Sequence, residues 1–296
     1  MNDTRKGILL AVIAYLLWGL YPLYWTLLNQ VDALEILINR MFFSFVTLLI
    51  LTLVLRRFAK VKNTFSQLMK DKKKLVLLIA ATALLTVNWF LFMYAIVSGR
   101  IIESSLGYYI NPIISILIGI IVLKERLTKY QTVATIIATI GVLFLTITHG
   151  AFPWISLMLA LTWGFYALFK KIINIDAVNA LFIETIVMLP LSSFFFFGWI
   201  IDGSSTFLTN ETLSIVLLSG AGIITIIPLF LFSKAAAVLP LKTLGFLQYI
   251  GPTIQLMVAI FITREEFDVN RLITFSFIWV ACIIFSASNF LDKKGK

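Results

Sequence analysis

The chain has 296 residues, of which 60% are hydrophobic and only 13% charged, with a mean hydropathy of +1.01. A soluble domain carries about 25% charged residues, so this composition excludes a water-exposed shell and points to an all-α polytopic membrane protein. The net charge of +10 would suit a nucleic-acid binder, but the bases lie in short connections between apolar stretches, and the one cysteine, Cys282, excludes an internal disulfide.

In chain order, ten apolar spans of about 20 residues each, the length that crosses ~30 Å of hydrocarbon, fall at 7–28, 34–55, 75–97, 101–123, 129–148, 151–170, 178–200, 213–235, 241–263 and 270–290. Residues 1–6 are too short for a charged leader with a spacer, and no small-residue cleavage site follows, so the first span is expected to be retained. Span two holds Glu35 near its start and Arg40 within it. The stretch from Arg56 to Lys74 reads as the longest loop, its closing charge run (Lys70 to Lys74) an anchor beside anionic headgroups. Small residues at helical spacing, Ser115 with Gly119 and Ala134 with Ala138, allow close helix contact.

Counting bases loop by loop places 20 of the 24 Lys and Arg on one face if both termini are cytoplasmic. This count includes Lys170 and Lys171, read as loop residues, and leaves Arg100, Arg264 and Arg271 on the other face. The expected location is the cell membrane, multi-pass, with the lipid bilayer as partner and no nucleic acid.

The chain repeats itself. The stretch from Leu106 returns 140 positions later, laying Tyr109, Ile110, Pro112 and Glu125 on Tyr249, Ile250, Pro252 and Glu265, and Phe90, Phe92 and Ala95 on Phe230, Phe232 and Ala235. Trp18-Gly19-Leu20-Tyr21 returns as Trp163-Gly164-Phe165-Tyr166. Five spans per copy is an odd number, so the copies, 1–148 and 149–296, enter the membrane from opposite sides. Inverted repeats supply two nearly equivalent packings of the same parts, the basis of alternating access in many secondary transporters.

In these segments, together with GILLAVIAYLLWGLYPLY (Gly7 to Tyr24), the Glu35 to Arg40 segment, SLGYYINPIISILIGIIVLKE (Ser105 to Glu125) and ETIVMLP (Glu184 to Pro190), the chain resembles the drug/metabolite transporter superfamily over residues 5 to 290. It is most similar to that superfamily's chloramphenicol-sensitivity permease group, RarD, built of two EamA-type repeats. The resemblance implies a ten-helix bundle with both termini cytoplasmic and a cavity between the halves.

Polar and aromatic residues inside the spans are the candidates for lining such a cavity: Asn88, Trp89 and Tyr94 in span three; Tyr108, Tyr109 and Asn111 in span four; Trp163 and Tyr166 in span six; Gln248, Tyr249 and Gln255 in span nine. Rings with polar tips hold an organic molecule by face contact while a hydroxyl or amide orients it. The competing role is to tie down carbonyls freed where Pro112 and Pro252 break their helices. Trp18 and Trp163 lie away from the interfacial belt, as gate or packing residues. Arg40 and Glu184 are ionisable groups within counterpart spans. A charge in hydrocarbon costs on the order of 2.5 to 3.5 kcal/mol on insertion scales, so each is expected to face a cavity, a partner or an interface. Arg40 suits substrate or ion-pair work, or anchoring by snorkelling; Glu184 suits proton coupling. Glu35 and Glu103 read as solvated or helix-capping. Glu125 and Glu265 read as ion-pair clamps at the two ends of the cavity, or as exposed loop pairs.

An enzyme is not expected. His149 is the only histidine, no metal-ligand cluster or phosphate-binding loop is written, and no cofactor is called for. The expected function is a secondary-active permease exporting small organic metabolites or amphipathic drugs, driven by protons or by the solute's own gradient. The alternative is a membrane receptor or assembly factor that binds a small solute without moving it. Oligomeric state is left open.

Overall fold

The computed structural model describes residues 3–28, 30–98, 101–149, 153–209, 212–263 and 269–294. These are helical almost throughout: α1 (Asp3–Trp25), α2 (Ala33–Val54), α3 (Phe58–Lys70), α4 (Lys72–Val97), α5 (Ile101–Leu123), α6 (Lys129–His149), α7 (Trp154–Ile173), α8 (Ala177–Asp202), the short α9 (Thr206–Thr209), α10 (Thr212–Val238), α11 (Leu241–Gln248), α12 (Ile250–Val258) and α13 (Val269–Lys294). Among the described residues nine stretches are long and apolar enough to cross a bilayer, α11 and α12 counting as one, and a shorter apolar stretch, Leu272–Ser288, lies in α13. The ten expected spans correspond to these. Ile121, Ile147, Phe194, Ile201 and Phe261 stand exposed on the outside, as lipid-facing residues must.

The packing exchanges partners between the halves. Helix α5 packs on α7 and α4 on α7, while their counterparts α12 and α10 both pack on α1. The sequence reason is visible at two glycines: a Cβ on Gly19 would meet Ile254, and one on Gly164 would meet Ile114 and Ile118, so the corresponding glycine lets the corresponding helix approach in each half. Helices α2 and α8 open alike as well. Asp32 accepts from the backbone N–H groups of Leu34 and Glu35, and Asp176 from those of Val178 and Asn179. Helices α6 and α13 pack together, with Ala134 and Ala138 fully buried.

Two expectations need correction. The stretch from Arg56 to Lys74 is not a loop: it contains α3, strongly amphipathic, with Val61 and Leu68 buried against α4 and α8. The apolar residues Phe58, Val61, Phe65 and Leu68 recur at helical spacing among lysines, which lays such a helix along a membrane face. Pro112 does not break its helix; α5 runs unbroken through it. Proline removes one helical hydrogen bond, and α7 and α11 brace α5 on either side. Span nine does break, at Tyr249, three residues before Pro252, where the Tyr249 N–H turns to the Phe246 carbonyl at 3.3 Å.

The end of the bundle where α1 begins and α5, α7 and α10 finish carries the Lys- and Arg-rich connections and is called the basic end below.

Candidate functional site

Along α1, Trp18, Tyr21 and Trp25 recur at helical spacing and face the middle of the bundle. Trp18 meets Trp163 of α7 edge to face at 5.2 Å between ring centroids, and Tyr15, Tyr166 and Phe232 complete an aromatic layer around them. On each side of this layer lies one charged group from the first half of a capped helix.

On the side away from the basic end stands Arg40 of α2. Its guanidinium carbon lies 4.0 Å from the ring centre of Trp89 and 5.8 Å from that of Trp25, distances at which a cation is held by aromatic faces. Tyr21 and Tyr108 lie near it. Its Nε is buried without a hydrogen-bond partner, and among the described residues no carboxylate pairs with it. Glu35, one turn earlier, is engaged elsewhere: it is buried and accepts from Ser205 Oγ and the Thr206 and Phe207 N–H groups, capping α9. Of its two expected roles, capping is the one found, since burial removes it from solvent.

On the basic side stands Glu184 of α8. Lys170 Nζ lies 2.6 Å from its Oε1, and the Tyr166 hydroxyl donates to Oε2 at 3.3 Å. Lys170 is 7% exposed and Glu184 1%, so Lys170 is not the loop residue expected from sequence: α7 continues to Ile173 and carries it into the core. The carboxylate without a base on its own helix finds one on its neighbour.

The other candidates divide. Trp89 and Tyr108 belong to the Arg40 side. Asn88 Nδ2 donates to the Leu159 carbonyl and to Thr162 Oγ1, both at 2.9 Å, tying α4 to α7. Asn88, Phe92, Tyr108 and Asn111 line a water-sized cavity of about 20 Å³, and Asn111 Oδ1 is buried there with no partner. Gln248 accepts from Ser115 Oγ at 3.4 Å and Gln255 donates to the Trp18 carbonyl at 3.4 Å, both joining the halves. Three expected lining residues lie elsewhere. Tyr94 is exposed beside Phe90 and Trp154, because five residues past Trp89 a helix has turned about 140° away. Tyr109 packs edge-on against Phe275 of α13 at 5.2 Å, and Tyr249 is buried against Phe246, in a separate apolar cluster with α6 and α13.

Among the described residues Glu125 forms neither of the ion pairs expected. It accepts from the backbone N–H groups of Leu241 at 2.8 Å and Lys242 at 3.0 Å, capping α11 across the two halves. Lys171 Nζ donates to the Leu239 carbonyl and Lys242 Nζ to that of Arg126, both at 2.6 Å. These bonds fasten the basic end. Glu265 and the side chains of Glu103 and His149 lie outside the described residues.

Sequence reasoning missed Tyr21, Trp25 and Lys170. The signal was present: at the shift that pairs Trp18 with Trp163, Tyr21 falls on Tyr166 and Trp25 on Lys170.

The comparisons agree with this architecture. The model of the EamA-like transporter family matches residues 5–147. Protein RarD of Salmonella typhimurium is 41% identical, covering 100% of this chain and 99% of its own. Protein RarD of Escherichia coli is 39% identical (96% of this chain, 95% of its own), and an uncharacterized transporter of Vibrio cholerae is 40% identical (96% and 93%). A solved crystal structure shares the fold with a TM-score of 0.72 over 95% of this chain and 96% of that one, at 14% identity. A helical bundle with charged groups turned inward, matched nearly end to end by these relatives, places the chain in the drug/metabolite transporter superfamily, as a membrane transporter of the EamA type and the RarD group.

Proposed function

We propose that the protein is a secondary-active permease that moves small organic metabolites or amphipathic drugs out of the cell by alternating access between two inverted halves, 1–148 and 149–296. The observation that carries this reading is the pair of charged groups, Arg40 and Glu184, each eight residues past an aspartate cap in counterpart helices and lying on opposite sides of the Trp18–Trp163 layer. Related positions that face opposite ends are what a site approached alternately from the two sides requires. The bonds of Glu125, Lys171 and Lys242 would hold the basic end shut, facing the cytoplasm, and must part in each cycle. The drive is either a proton gradient acting through Glu184 or the gradient of the solute itself; Glu184→Gln combined with Lys170→Met, which leaves no buried charge unpaired, should remove dependence on a pH gradient in the first case and not in the second.

Arg126 and Lys242, in contact across the seal, offer the test. In a Cys282→Ser background, Arg126→Cys with Lys242→Cys should be joined by a bifunctional methanethiosulfonate crosslinker that replaces the reach of the lysine side chain and stops solute flux in proteoliposomes, and reduction should restore it. Flux through the crosslinked protein would contradict the cycle. Saturable binding with no flux from either side, crosslinked or not, would favour a receptor.

A further inference from the structure

We propose that the transported solute carries a carboxylate, and that Arg40, held between Trp25 and Trp89, is the group that receives it. The inference rests on the transport reading above in one respect: the cavity lined by Asn88, Tyr108 and Asn111 is water-sized here, so the body of a solute enters only when the helices part.

A guanidinium has five N–H donors in a fixed plane, matched to the two oxygens of a carboxylate. In a membrane protein such a group is ordinarily paired, or led to the interface by its long stem. Arg40 has no partner carboxylate among the described residues. Its Nε is buried and unbonded while the side chain as a whole is half-buried, its guanidinium carbon lies 4.0 Å from the Trp89 ring centre, and Glu35 is fully engaged in capping α9. The aromatic faces lower the cost of burying the cation but supply no acceptor in its plane. Trp89, at 4.0 Å, holds the cation in place, and the planar fork of a guanidinium suits bidentate binding.

A second, independent feature points to a ligand nearby. Asn111 is 6% exposed, its Oδ1 is without a partner, and it lines the small cavity together with Asn88, the chain neighbour of the Trp89 that covers Arg40. A buried amide oxygen left unbonded is costly unless something visits it. Phe92, which meets Tyr108 edge-on at 6.0 Å, and the tryptophans give the rest of the solute an apolar surround. The chemistry that fits is an organic monocarboxylate with an apolar body. An anionic lipid headgroup shares the charge, and the experiment separates the two.

Full-length protein in phosphatidylcholine nanodiscs is titrated with acetate, benzoate and phenylacetate, and with phenylacetamide and phenethylamine, which keep the shape and change the charge. Thermal stability is the readout. The carboxylates with rings should stabilise the protein saturably, and the amide and amine should not. Arg40→Gln should weaken phenylacetate binding about thirtyfold or more, as loss of one partner of a buried charge pair does. Arg40→Lys keeps the charge without the planar fork and should weaken it about tenfold. Should Arg40→Gln fail to fold, Arg40→Lys carries the test alone. Equal binding of amide and carboxylate, no saturable shift with any carboxylate, or unchanged affinity in the folded Arg40 variants would each overturn the proposal. So would stabilisation by phosphatidylglycerol that phenylacetate does not displace, which would assign the site to lipid. Phenylacetate that binds through Arg40 without crossing liposomes would leave the anion site standing and remove transport; flux of the amine but not the carboxylates would do the reverse.

Discussion

The environments of Arg40 and Glu184 start from the same design and end differently. Both charges lie eight residues beyond an aspartate cap, and each has nearby a tyrosine three residues past a central tryptophan, Tyr166 bonding to Glu184 and Tyr21 lying near Arg40. At the next equivalent position the copies diverge: Trp25 in one, Lys170 in the other. Lys170 neutralises Glu184 at 2.6 Å; Trp25 offers Arg40 only a ring. One half therefore holds a self-contained ion pair and the other a cation whose counter-charge must come from outside. The repeat supplies equivalent positions, and the residues at two of them, Arg40 against Glu184 and Trp25 against Lys170, make one charge paired and leave the other without an internal partner.

The largest expected effect sharpens this contrast. Removing Lys170 as Lys170→Met leaves a buried carboxylate unpaired and should cost about 3–5 kcal/mol of stability, whereas Lys170→Met with Glu184→Met should be near neutral. Arg40→Met should leave stability unchanged or raise it, since no internal partner is orphaned. Thermal melts of the purified variants read all three; equal losses for Lys170→Met and Arg40→Met would erase the distinction.

A smaller effect tests whether the two sides pack differently. A Cβ on Gly222 of α10 would lie 2.2 Å from the Phe43 carbonyl oxygen of α2, the helix that carries Arg40. Gly222→Ala should force those helices apart, at about 1–3 kcal/mol or more, and displace the Arg40 side first. The counterpart of Gly222 is Thr82, whose hydroxyl bonds to the Leu78 carbonyl within α4. Thr82→Ala should cost about 1 kcal/mol or less. Comparable losses would contradict the asymmetry.

The smallest effect concerns the basic end. Asp176 is pulled below the usual carboxylate range: desolvation opposes this, but the Asn179 N–H, the Arg57 guanidinium at 3.0 Å and the Val178 N–H outweigh it. A carboxyl depressed in the folded state contributes stability above its unfolded value, and loses that contribution as pH falls through its folded value. Asp176→Asn should therefore flatten the acid side of a melting-temperature profile, by an amount limited by the group's exposure. An unchanged acid limb would remove this role. Asp32, capped alike but with no ion pair among the described residues, is the control.

Much of this contrast was legible in the sequence, and what escaped has physical causes. Span count and approximate ends followed from apolar length, and the inversion from an odd number of spans per copy. Arg40, Trp89, Tyr108, Trp163, Tyr166 and Glu184 could be named because polar or ionisable groups in hydrocarbon stand out. Tyr94, Tyr109 and Tyr249 looked the same from sequence but face away, since in helices apolar on every side no periodicity reveals which face turns inward. Lys170 was taken for a loop base because a charge at the end of an apolar run marks a boundary unless its partner, fourteen residues on in another helix, is known. Glu125 was expected to meet a charge and instead meets two backbone N–H groups, donors that no sequence pattern displays.

Tyr21 and Tyr166 are equivalent positions, three residues past Trp18 and Trp163 in helices assigned opposite directions across the membrane, and labelling them from each face of the membrane is the most direct test. In a Cys282→Ser background, Tyr21→Cys and Tyr166→Cys are exposed separately to an impermeant maleimide in right-side-out and inverted vesicles. The account predicts that position 21 reacts from the outer face and position 166 from the cytoplasmic face. Reaction of both from the same face would contradict two inverted half-sites meeting at that layer.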